Sequence, residues 1–474
     1  MELLRSLRAL LRHRAFRRLL GVRVATQLGD GLVQVGMLAY ALFSPQHQPN
    51  GWAIVTVLAI NYLPFSFIAP FVAPLLDRWP RQRSAICTDI VRTLLCAVVA
   101  WQVLDTSDSA AEPVAVYVLL LLVMSLNRFV LAGLAAGLAD TVDENEYLHA
   151  SSLMPVIGPI TLVMAGIVAG VIRVVFDTAL STNTADAIIF GTAALTFAVS
   201  VALLARIGRY ELGPTTQPVP LTSPADVPPL EAAHIPVEAA HTPVPPQPSP
   251  SFRQLLAHAW VGAMAALHHL KSRPIVVQGL SAVALERTGY GVLMTVTILA
   301  YRNTFHQADD LSDAIADMGV WFIASGVGFA LSGVAAPIIA ARLRVRNAML
   351  AVLACSALVQ ALPGSVLVRP TLVIAALLNG VCVQSVKVYT DTLTQAHISD
   401  EYRGRVFMLY DIINNVALVL GALLAAIFAP TTGLSLPVYL GLAAFLLLGT
   451  AWFGHASAAY RADFDKGSPW VTKP

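Results

Sequence analysis

The sequence predicts an all-α membrane protein with twelve transmembrane helices arranged in two six-helix bundles. Of its 474 residues, 57% are apolar and only 12% are charged, and the mean hydropathy is +0.69. A water-soluble chain of this length would form about three domains, but so apolar a surface cannot be kept in water. The apolar residues also fall into runs of membrane-spanning length, interrupted once by a long proline-rich segment. These observations place the chain in a lipid bilayer.

The apolar runs give the positions of the spans. A transmembrane helix needs about 20 predominantly apolar residues. Six such runs precede the proline-rich segment and six follow it. The predicted spans are 17–43, 52–76, 84–104, 113–138, 149–172, 185–206, 274–300, 318–341, 347–367, 371–393, 404–429 and 434–454.

The proline-rich segment, residues 210–251, divides the chain. Twelve of the 37 residues from 214 to 250 are proline, and 231–244 is a tandem repeat, EAAHIPV followed by EAAHTPV. Proline on this scale prevents a continuous helix, and too few large apolar residues are present for a core. The segment is predicted to be an extended, solvated linker. We therefore expect an N-terminal bundle over 1–209 and a C-terminal bundle over 252–474, which includes an amphipathic lead-in helix and a short tail.

The distribution of arginine predicts the orientation. Arginines cluster at the N-terminus and in the loops between spans 2 and 3, 8 and 9, and 10 and 11, whereas the opposite loops are poor in Lys and Arg. Basic residues are concentrated in cytoplasmic loops. Both termini and the linker are therefore predicted to be cytoplasmic, in the cytoplasmic (inner) membrane.

Two basic amphipathic stretches, 3–18 and 252–271, precede the two halves. Each alternates Leu, Ala or Phe on one helical face with basic or polar residues on the other. This pattern favours helices lying on the inner membrane surface. The alternative is that each stretch extends the adjoining span into the cytoplasm.

Known enzyme and metal-binding motifs are missing from the sequence. The four cysteines, Cys87, Cys96, Cys355 and Cys382, lie in apolar runs without CxxC spacing, which favours packing over disulfides or zinc. There is no phosphate-binding GxxxxGK[ST] loop, no HExxH and no GxSxG. We expect no enzymatic activity, no ATP-driven pumping, no cofactor and no metal. The linker is too poor in basic residues to bind nucleic acid.

The two halves resemble each other in where their buried charges lie. A separation of 256 residues relates Asp30 on span 1 to Glu286 on span 7, and one of 259 relates Arg128 on span 4 to Lys387 on span 10. The arginine-rich loops after spans 2 and 8 have nearly the same separation. This indicates an internal repeat of the kind found in transporters.

Charged residues inside the spans are the strongest functional signal. Each costs about 2.5–3.5 kcal/mol near the bilayer centre, so each must be paired or hydrated. Adjacent Glu286 and Arg287 lie about 100° apart on a helix and cannot face the same neighbour. The candidates for proton coupling or for lining a cavity are Asp30, Arg128, Glu286, Arg287, Lys387 and Asp391. The alternative is a set of fixed ion pairs that orient helices.

Some polar or small residues in the spans have simpler expected roles. Asp89 and Arg92 are three residues apart near the predicted cytoplasmic end of span 3, so mutual pairing or snorkelling accounts for them. Gly166 and Gly170 form a GxxxG on span 5, a pattern typical of close helix packing.

At the level of motifs, the chain resembles the major facilitator superfamily (MFS) of transporters. Besides the division of twelve spans by a cytoplasmic linker, the loop APLLDRWPRQR at 73–83 resembles the family motif G-x-L-A-D-R-x-G-R-R, with Ala73 and Pro80 in place of two glycines. The span 4 sequence NRFVLAGLAAGL resembles the family's arginine-bearing motif. The resemblance implies a cavity lined by spans 1, 4, 7 and 10, with Arg128 on one wall. It also implies a loop that docks near the start of span 11 and latches the inner face through Asp77, Arg78, Arg81 and Arg83.

A second motif resembles one subgroup of this family. The stretch KVYTDTLTQAHISDEYRGRVFMLYDIINN at 387–415 is similar to enterobactin exporters and macrolide-efflux proteins, in which D-x-x-R-G-R-V-F follows span 10. The resemblance places Asp400, Arg403, Arg405 and Asp411 with the gating residues. The expected function is secondary active transport, as proton-coupled export of a small amphipathic compound.

Several alternatives stay open at this stage. The chain could be a facilitator or importer on the same fold, or a non-transporting membrane scaffold or sensor. The expected partners are a small-molecule substrate, protons and membrane lipids, and we expect a monomer. Asp30 ranks above Glu286 as the proton carrier, because Glu286 has Arg287 beside it and is expected to form a permanent pair with another helix.

Overall fold

In the computed structural model, the described residues form thirteen α-helices. These residues are 12–42, 50–76, 80–105, 114–138, 141–142, 147–208, 212, 252–306, 311–362, 365–466 and 470. Each predicted span overlaps one helix. The one helix without a predicted span is Phe252–Lys271, which precedes the seventh predicted span. The chain is therefore all-helical, as the apolar runs predict.

The helices before the linker are α1 (Arg14–Leu42), α2 (Gly51–Leu76), α3 (Arg81–Asp105), α4 (Val114–Gly137), α5 (Tyr147–Ala179) and α6 (Thr182–Leu204). Those after it are α7 (Phe252–Lys271), α8 (Pro274–Ala300), α9 (Leu311–Leu343), α10 (Val345–Ala361), α11 (Arg369–His397), α12 (Asp400–Phe428) and α13 (Leu436–Ala456). A π-helical turn, Tyr301–Phe305, continues α8.

Among the described residues, eight helical stretches are long and apolar enough to cross a membrane, and they belong to α3, α4, α6, α8, α9, α11, α12 and α13. Three further apolar stretches are shorter: Gly51–Pro64, Ile160–Arg173 and Val345–Ala361. The chain thus has the character of a multi-pass membrane protein. The count of twelve spans stays a prediction.

Helix packing follows the same pattern in the two halves. In the first half, α1 packs on α5, α2 on α4, and α3 on both α4 and α6. In the second half, α8 packs on α12, α9 on α11, and α10 on both α11 and α13. If α7 is left out, α8 to α13 correspond in order to α1 to α6, and the packed pairs are then the same in the two halves. The packing therefore repeats, as the spacing of the charged residues indicates.

Two glycine pairs bring helices of the second half close together. A Cβ atom on Gly291 of α8 would lie 2.1 Å from the Leu418 carbonyl oxygen, and one on Gly421 of α12 would lie 2.1 Å from that of Thr288. Gly328 of α9 and Gly380 of α11 likewise let the backbones of these two helices approach closely. Only glycine permits backbones to approach this closely.

The two halves meet along α2 and α12, which pack on each other extensively. At one end of this contact, a Cβ on Gly51 would lie 2.5 Å from the Cα of Ala426. A smaller contact joins α5 to α9. The contact between α2 and α12 therefore forms the main junction between the halves.

The second amphipathic stretch forms α7, which a turn at Ser272 and Arg273 separates from α8. It is a helix of its own, so the extended-span alternative is wrong for this stretch. Its Ala266 and Leu270 are buried, and the His269 ring stacks on Tyr402 of α12 at 4.4 Å. Most of the other stretch, residues 3–11, lies outside the described residues.

Candidate functional site

A buried ionic cluster joins α1, α3 and α6 in the first half. At its centre, Arg92 forms an ion pair with Asp30 of α1 and a second one, at 2.9 Å, with Asp89. Its guanidinium also donates to Thr26 Oγ1 at 2.9 Å and lies 3.8 Å from the centre of the Phe197 ring. We call Thr26, Asp30, Asp89, Arg92 and Ser200 the Arg92 cluster.

The Arg92 cluster corrects the sequence interpretation of span 3. Arg92 is the twelfth residue of α3, roughly 16 Å from its start, and none of its surface is exposed. It therefore does not snorkel to the membrane surface, and it pairs with Asp30 as well as with Asp89. Ser200 Oγ completes the cluster by donating to Asp89 Oδ2 at 2.6 Å.

Glu286 of α8 occupies the matching place in the second half, with different partners. Its side chain is buried, and its Oε2 lies 3.1 Å from Ser356 Oγ of α10. Ser356 Oγ lies 2.9 Å from Asn379 Oδ1 of α11. Among the described residues, Glu286 Oε1 has no hydrogen-bond partner and no Lys, Arg or His lies within ion-pair distance of this carboxylate. We call Glu286, Ser356 and Asn379 the Glu286 cluster.

The two carboxylates thus differ in what the third helix of each half supplies. In both halves the acid on the first helix points to the third helix, where Asp30 finds an arginine and Glu286 a serine. A buried ion pair compensates part of the cost of removing both charges from water. A single hydroxyl compensates far less, so burying the ionised carboxylate costs more for Glu286 than for Asp30.

A third group of polar residues lies where the halves meet. Lys387 Nζ contacts Asp391 Oδ2 at 2.8 Å, one turn along α11, and lies 5.1 Å from the centre of the Tyr410 ring. Arg287 of α8 interacts electrostatically with Tyr410 of α12 and with Tyr62 of α2. We call Tyr62, Arg287, Lys387, Asp391 and Tyr410 the central cluster.

The charged groups of the central cluster are more exposed than those of the other two clusters, although Tyr410 is buried. The side chains of Lys387 and Asp391 are 30% and 29% exposed, and Arg287 is half-buried. Because Tyr62 belongs to the first half and the others to the second, the cluster faces the junction between the halves. Arg128, the remaining predicted cavity residue, lies on α4, but its side chain is outside the described part of the structure.

The predicted latch of the 2–3 loop is described only in part, because Asp77 and Arg78 lie outside the described residues. Arg81 Nη1 donates to the Leu212 carbonyl oxygen at 3.0 Å, and Arg83 is exposed. The adjacent Gln82 donates to the carbonyl oxygens of Leu204, the last residue of α6, and of Ile207 just after it. These contacts fix the start of α3 to the segment that leaves the first half.

The motif before span 11 starts α12. Asp400 is its first residue, although its side chain lies outside the described residues. Arg403 Nη2 points to the carbonyl oxygens of Gln395 and Ile398 at the end of α11, at 3.4 Å each. Arg405 lies 5.7 Å from the centre of the Tyr402 ring, and Asp411 is exposed. The motif therefore joins the end of α11 to the start of α12.

Six partner residues escaped the sequence analysis: Thr26, Ser200, Ser356, Asn379, Tyr62 and Tyr410. Neutral polar residues in apolar helices carry a weak sequence signal, because a hydroxyl or amide also satisfies itself within its own helix.

Comparisons with known proteins agree with the fold. No family model matches the chain. Two uncharacterised MFS-type transporters, from Mycobacterium bovis and Mycobacterium tuberculosis, are each 29% identical over 439 residues, covering 92% of this chain and 88% of theirs. Their lengths and that of this chain therefore correspond closely.

Solved transporter structures share the fold at low sequence identity. The nucleoside transporter NupG has a TM-score of 0.61 and 13% identity, covering 93% of this chain and 99% of its own. A bacterial homologue of the human drug peptide transporters PepT1 and PepT2 also has a TM-score of 0.61, with 11% identity. The match covers 95% of this chain and 99% of that homologue. The chain is thus similar in sequence to two MFS-type transporters over most of its length, and it shares its fold with solved transporter structures.

Proposed function

We propose that the chain is a proton-coupled secondary transporter that exports a small amphipathic compound, with Glu286 as the proton-binding residue. The observation that carries this proposal is the buried carboxyl group of Glu286 on α8, which has no cation at ion-pair distance in the described structure. An ionised carboxylate in such surroundings is costly, and binding a proton removes the cost. Glu286 therefore carries a proton while it is enclosed and releases it when water reaches it.

The partners of Glu286 fit a group that changes its protonation. The Ser356 hydroxyl has one hydrogen and lies within bonding distance of both Glu286 Oε2 and Asn379 Oδ1. If Glu286 is protonated, it donates to Ser356 Oγ, which donates to Asn379 Oδ1, and the chain of hydrogen bonds is complete. If Glu286 is ionised, Ser356 must donate to it, and the Asn379 amide must turn its NH2 group toward Ser356.

The same reasoning lowers the rank of Asp30. Asp30 is enclosed with Arg92, which favours its ionised form and holds α1 against α3. Arg287 interacts electrostatically with Glu286 as well as with Tyr62 and Tyr410, but no ion pair joins Arg287 to Glu286 in the described structure. We therefore reverse the order expected from the sequence, and Asp30 becomes a structural ion-pair residue.

The remaining parts of the proposal rest on the sequence. They are twelve spans, cytoplasmic termini, two bundles divided at 210–251, a monomer in the inner membrane, and membership of the enterobactin-exporter and macrolide-efflux subgroup. Orientation has a direct test. With the native cysteines removed, Ser223→Cys in the linker should react with an impermeant thiol reagent only in inside-out or opened membranes. Labelling in intact cells would overturn the orientation.

Coupling is tested by accumulation of a panel of fluorescent amphipathic compounds in cells with and without the chain. For a transported compound, the wild-type chain should lower accumulation at least several-fold, and a protonophore should abolish the difference. Glu286→Gln should abolish uphill export at unchanged protein level, because an amide hydrogen-bonds like a protonated acid but releases no proton. Asp30→Asn, its matched control, should export if it folds.

Two results would overturn the coupling proposal. One is export by the Glu286→Gln variant at the wild-type rate and with the same sensitivity to the protonophore. The other is export by the wild-type chain that the protonophore leaves unchanged. This result would favour the alternative that the chain is a facilitator. Failure of the chain to change the accumulation of any compound would favour a scaffold or sensor.

A further inference from the structure

Gln360 is a buried amide next to the Glu286 cluster that the coupling proposal does not use. It lies on α10, none of its surface is exposed, and neither its Nε2 nor its Oε1 has a hydrogen-bond partner in the described structure. Leaving both ends of an amide unsatisfied in an interior is costly, so such groups are held by a protein group or by ordered water. Gln360 therefore needs a partner other than the described side chains and backbone.

Helix geometry places this amide beside Ser356. Gln360 follows Ser356 by four residues on α10, so the two share a helical face, with Cβ atoms about 5–6 Å apart. Side chains on a helix lean toward its N-terminus, which for Gln360 is the direction of Ser356. Ser356 Oγ itself lies 3.1 Å from Glu286 Oε2 and 2.9 Å from Asn379 Oδ1. The Gln360 amide thus extends toward the hydroxyl that joins α8, α10 and α11.

The side chains around Ser356 Oγ carry both donors and acceptors that lack a partner. Besides the amide of Gln360, Glu286 Oε1 and Asn379 Nδ2 are without one among the described residues, and both side chains are buried. Buried water makes about three hydrogen bonds and both donates and accepts. A metal cation would satisfy only the oxygens and leave both NH2 groups unpaired. The set therefore fits water better than a cation.

We propose that a water molecule binds between Glu286 Oε1 and the Gln360 amide, and that Gln360 holds this water where it exchanges protons with Glu286. One water bridges groups up to about 5.5 Å apart, since each O–H···O bond is about 2.7–2.8 Å long. Ionised Glu286 takes a proton from hydronium at this position, which leaves a neutral carboxyl group and a water molecule, and the reverse step returns the proton. The role of the water rests on the proposed function of Glu286, whereas its binding does not.

The same face of α8 continues with buried oxygens toward the outer end of the helix in the proposed orientation. Thr297 and Tyr301 lie about three and four turns beyond Glu286, within about 60° of it around the helix axis. Neither Thr297 Oγ1 nor Tyr301 OH is in a hydrogen bond among the described residues. The Tyr301 ring lies 5.5 Å from that of Phe305, whose carbonyl oxygen accepts from the exposed Arg369 at 2.6 Å. These oxygens indicate the route between the bound water and the outer surface.

The site is tested by structures of the wild-type chain and of Gln360→Met at a resolution that shows ordered water. Methionine keeps the length of the side chain and removes both polar atoms. The wild-type structure should show a water within hydrogen-bonding distance of Glu286 Oε1 and the Gln360 amide, and the variant should lack it. Ser385→Ala, the matched control, removes another buried side-chain oxygen without a partner in the described structure, and the water should remain.

The role in proton exchange is tested by infrared difference spectra of the purified full-length chain between alkaline and acidic buffer. The C=O band of protonated Glu286 is the band that Glu286→Gln removes. Gln360→Met should shift this band to higher frequency at unchanged area, because the Glu286 carbonyl oxygen loses the hydrogen bond from the water. Ser385→Ala should leave the band in place. In cells, Gln360→Met should slow uphill export several-fold at unchanged protein level.

Three results would overturn the proposal. They are a wild-type structure without water at the Gln360 amide, an unshifted Glu286 band in Gln360→Met, and a Tm that sodium chloride raises more than potassium chloride does in the wild-type chain but not in Gln360→Met. The last result would identify the occupant as a cation. Failure of the coupling proposal is separate, since Glu286→Gln would then export normally while the wild-type structure still showed the water.

Discussion

At the scale of single residues, two acids in equivalent positions have acquired different physical roles. Asp30 and Glu286 both lie in the middle of the first helix of their half and both are buried. They differ in their partner on a neighbouring helix. Asp30 pairs with Arg92 of α3, whereas Glu286 contacts Ser356 of α10. A carboxylate with a buried cation serves as a structural link, whereas one with a hydroxyl partner is suited to gain and lose a proton.

The structural role of the Arg92 cluster predicts a large effect of removing its cation. Arg92→Gln leaves Asp30 and Asp89 enclosed without a positive charge, and breaking a buried pair in this way costs about 3–5 kcal/mol. We expect a much smaller yield of monodisperse protein and a lower apparent Tm in detergent. The measurement is thermal unfolding of purified variants followed by size-exclusion chromatography.

The control for this prediction removes all the charges together. Arg92→Gln combined with Asp30→Asn and Asp89→Asn leaves only neutral hydrogen-bonding groups, and we expect it to recover much of the lost stability. If the single Arg92→Gln variant were as stable as wild type, the cluster would not be the ionic link described above.

At the scale of helices, close packing depends on which face a glycine occupies. The GxxxG at Gly166 and Gly170 predicts close packing of α5, yet a Cβ added at either glycine would meet no atom within 4 Å. That interpretation is wrong for this chain. The close approaches occur instead at Gly291 with Gly421 and at Gly328 with Gly380. Sequence spacing marks small residues on one helical face but not the helix that they face.

Two glycines of α9 therefore make a matched pair for mutation. A Cβ on Gly328 would lie 2.2 Å from the Leu377 carbonyl oxygen of α11, whereas one on Gly326 would meet nothing within 4 Å. Gly328→Ala should push α9 from α11 and destabilise the protein by about 1–3 kcal/mol. Gly326→Ala should be neutral or stabilising, because alanine is the better helix former.

The readout is the apparent Tm of both variants, measured under the same detergent conditions. A Gly328→Ala variant as stable as Gly326→Ala would show that α9 and α11 do not pack as closely as described.

At the scale of the whole molecule, the two repeated halves meet mainly through α2 and α12. Transporters built from repeats expose their binding site to each side in turn by rocking one half against the other. The central cluster lies at this junction, with Tyr62 from α2 and Tyr410 from α12. Motion at this contact would therefore change access to Arg287 and Lys387.

This arrangement predicts that a covalent link between α2 and α12 stops transport. In a chain without its native cysteines, Gly51→Cys and Ala426→Cys should form a disulfide once the helix ends separate by about 1 Å, because the Cβ atoms of a disulfide lie about 3.5–4.5 Å apart and here they would lie 2.8 Å apart. With a protease site placed in the linker, the oxidised double variant should migrate as one band after cleavage. Export should stop on oxidation and return on reduction, because rocking must separate these helix ends.

Each single-cysteine variant is the control and should yield two fragments after cleavage under oxidising conditions. Two fragments from the oxidised double variant would contradict the described junction. A cross-linked chain that still exports would remove this contact from the transport cycle.

The sequence by itself determined where the helices are and that the chain belongs in a membrane. Each predicted span overlaps a helix because the length of an apolar run is a local property, set by bilayer thickness and helix rise. It also determined the internal repeat, since the charged residues recur at one separation. The i,i+4 pair of Lys387 with Asp391 follows from spacing in the same way.

Only the tertiary structure decided which charge meets which. Asp30 and Arg92 are 62 residues apart, and their contact depends on how α1 and α3 are rotated and packed against α6. The same applies to Glu286 and Ser356, 70 residues apart. A hydropathy pattern records that a charge is in a span but not the direction in which it points. For this reason the sequence ranked Asp30 above Glu286, and the packing of the third helix in each half reversed that order.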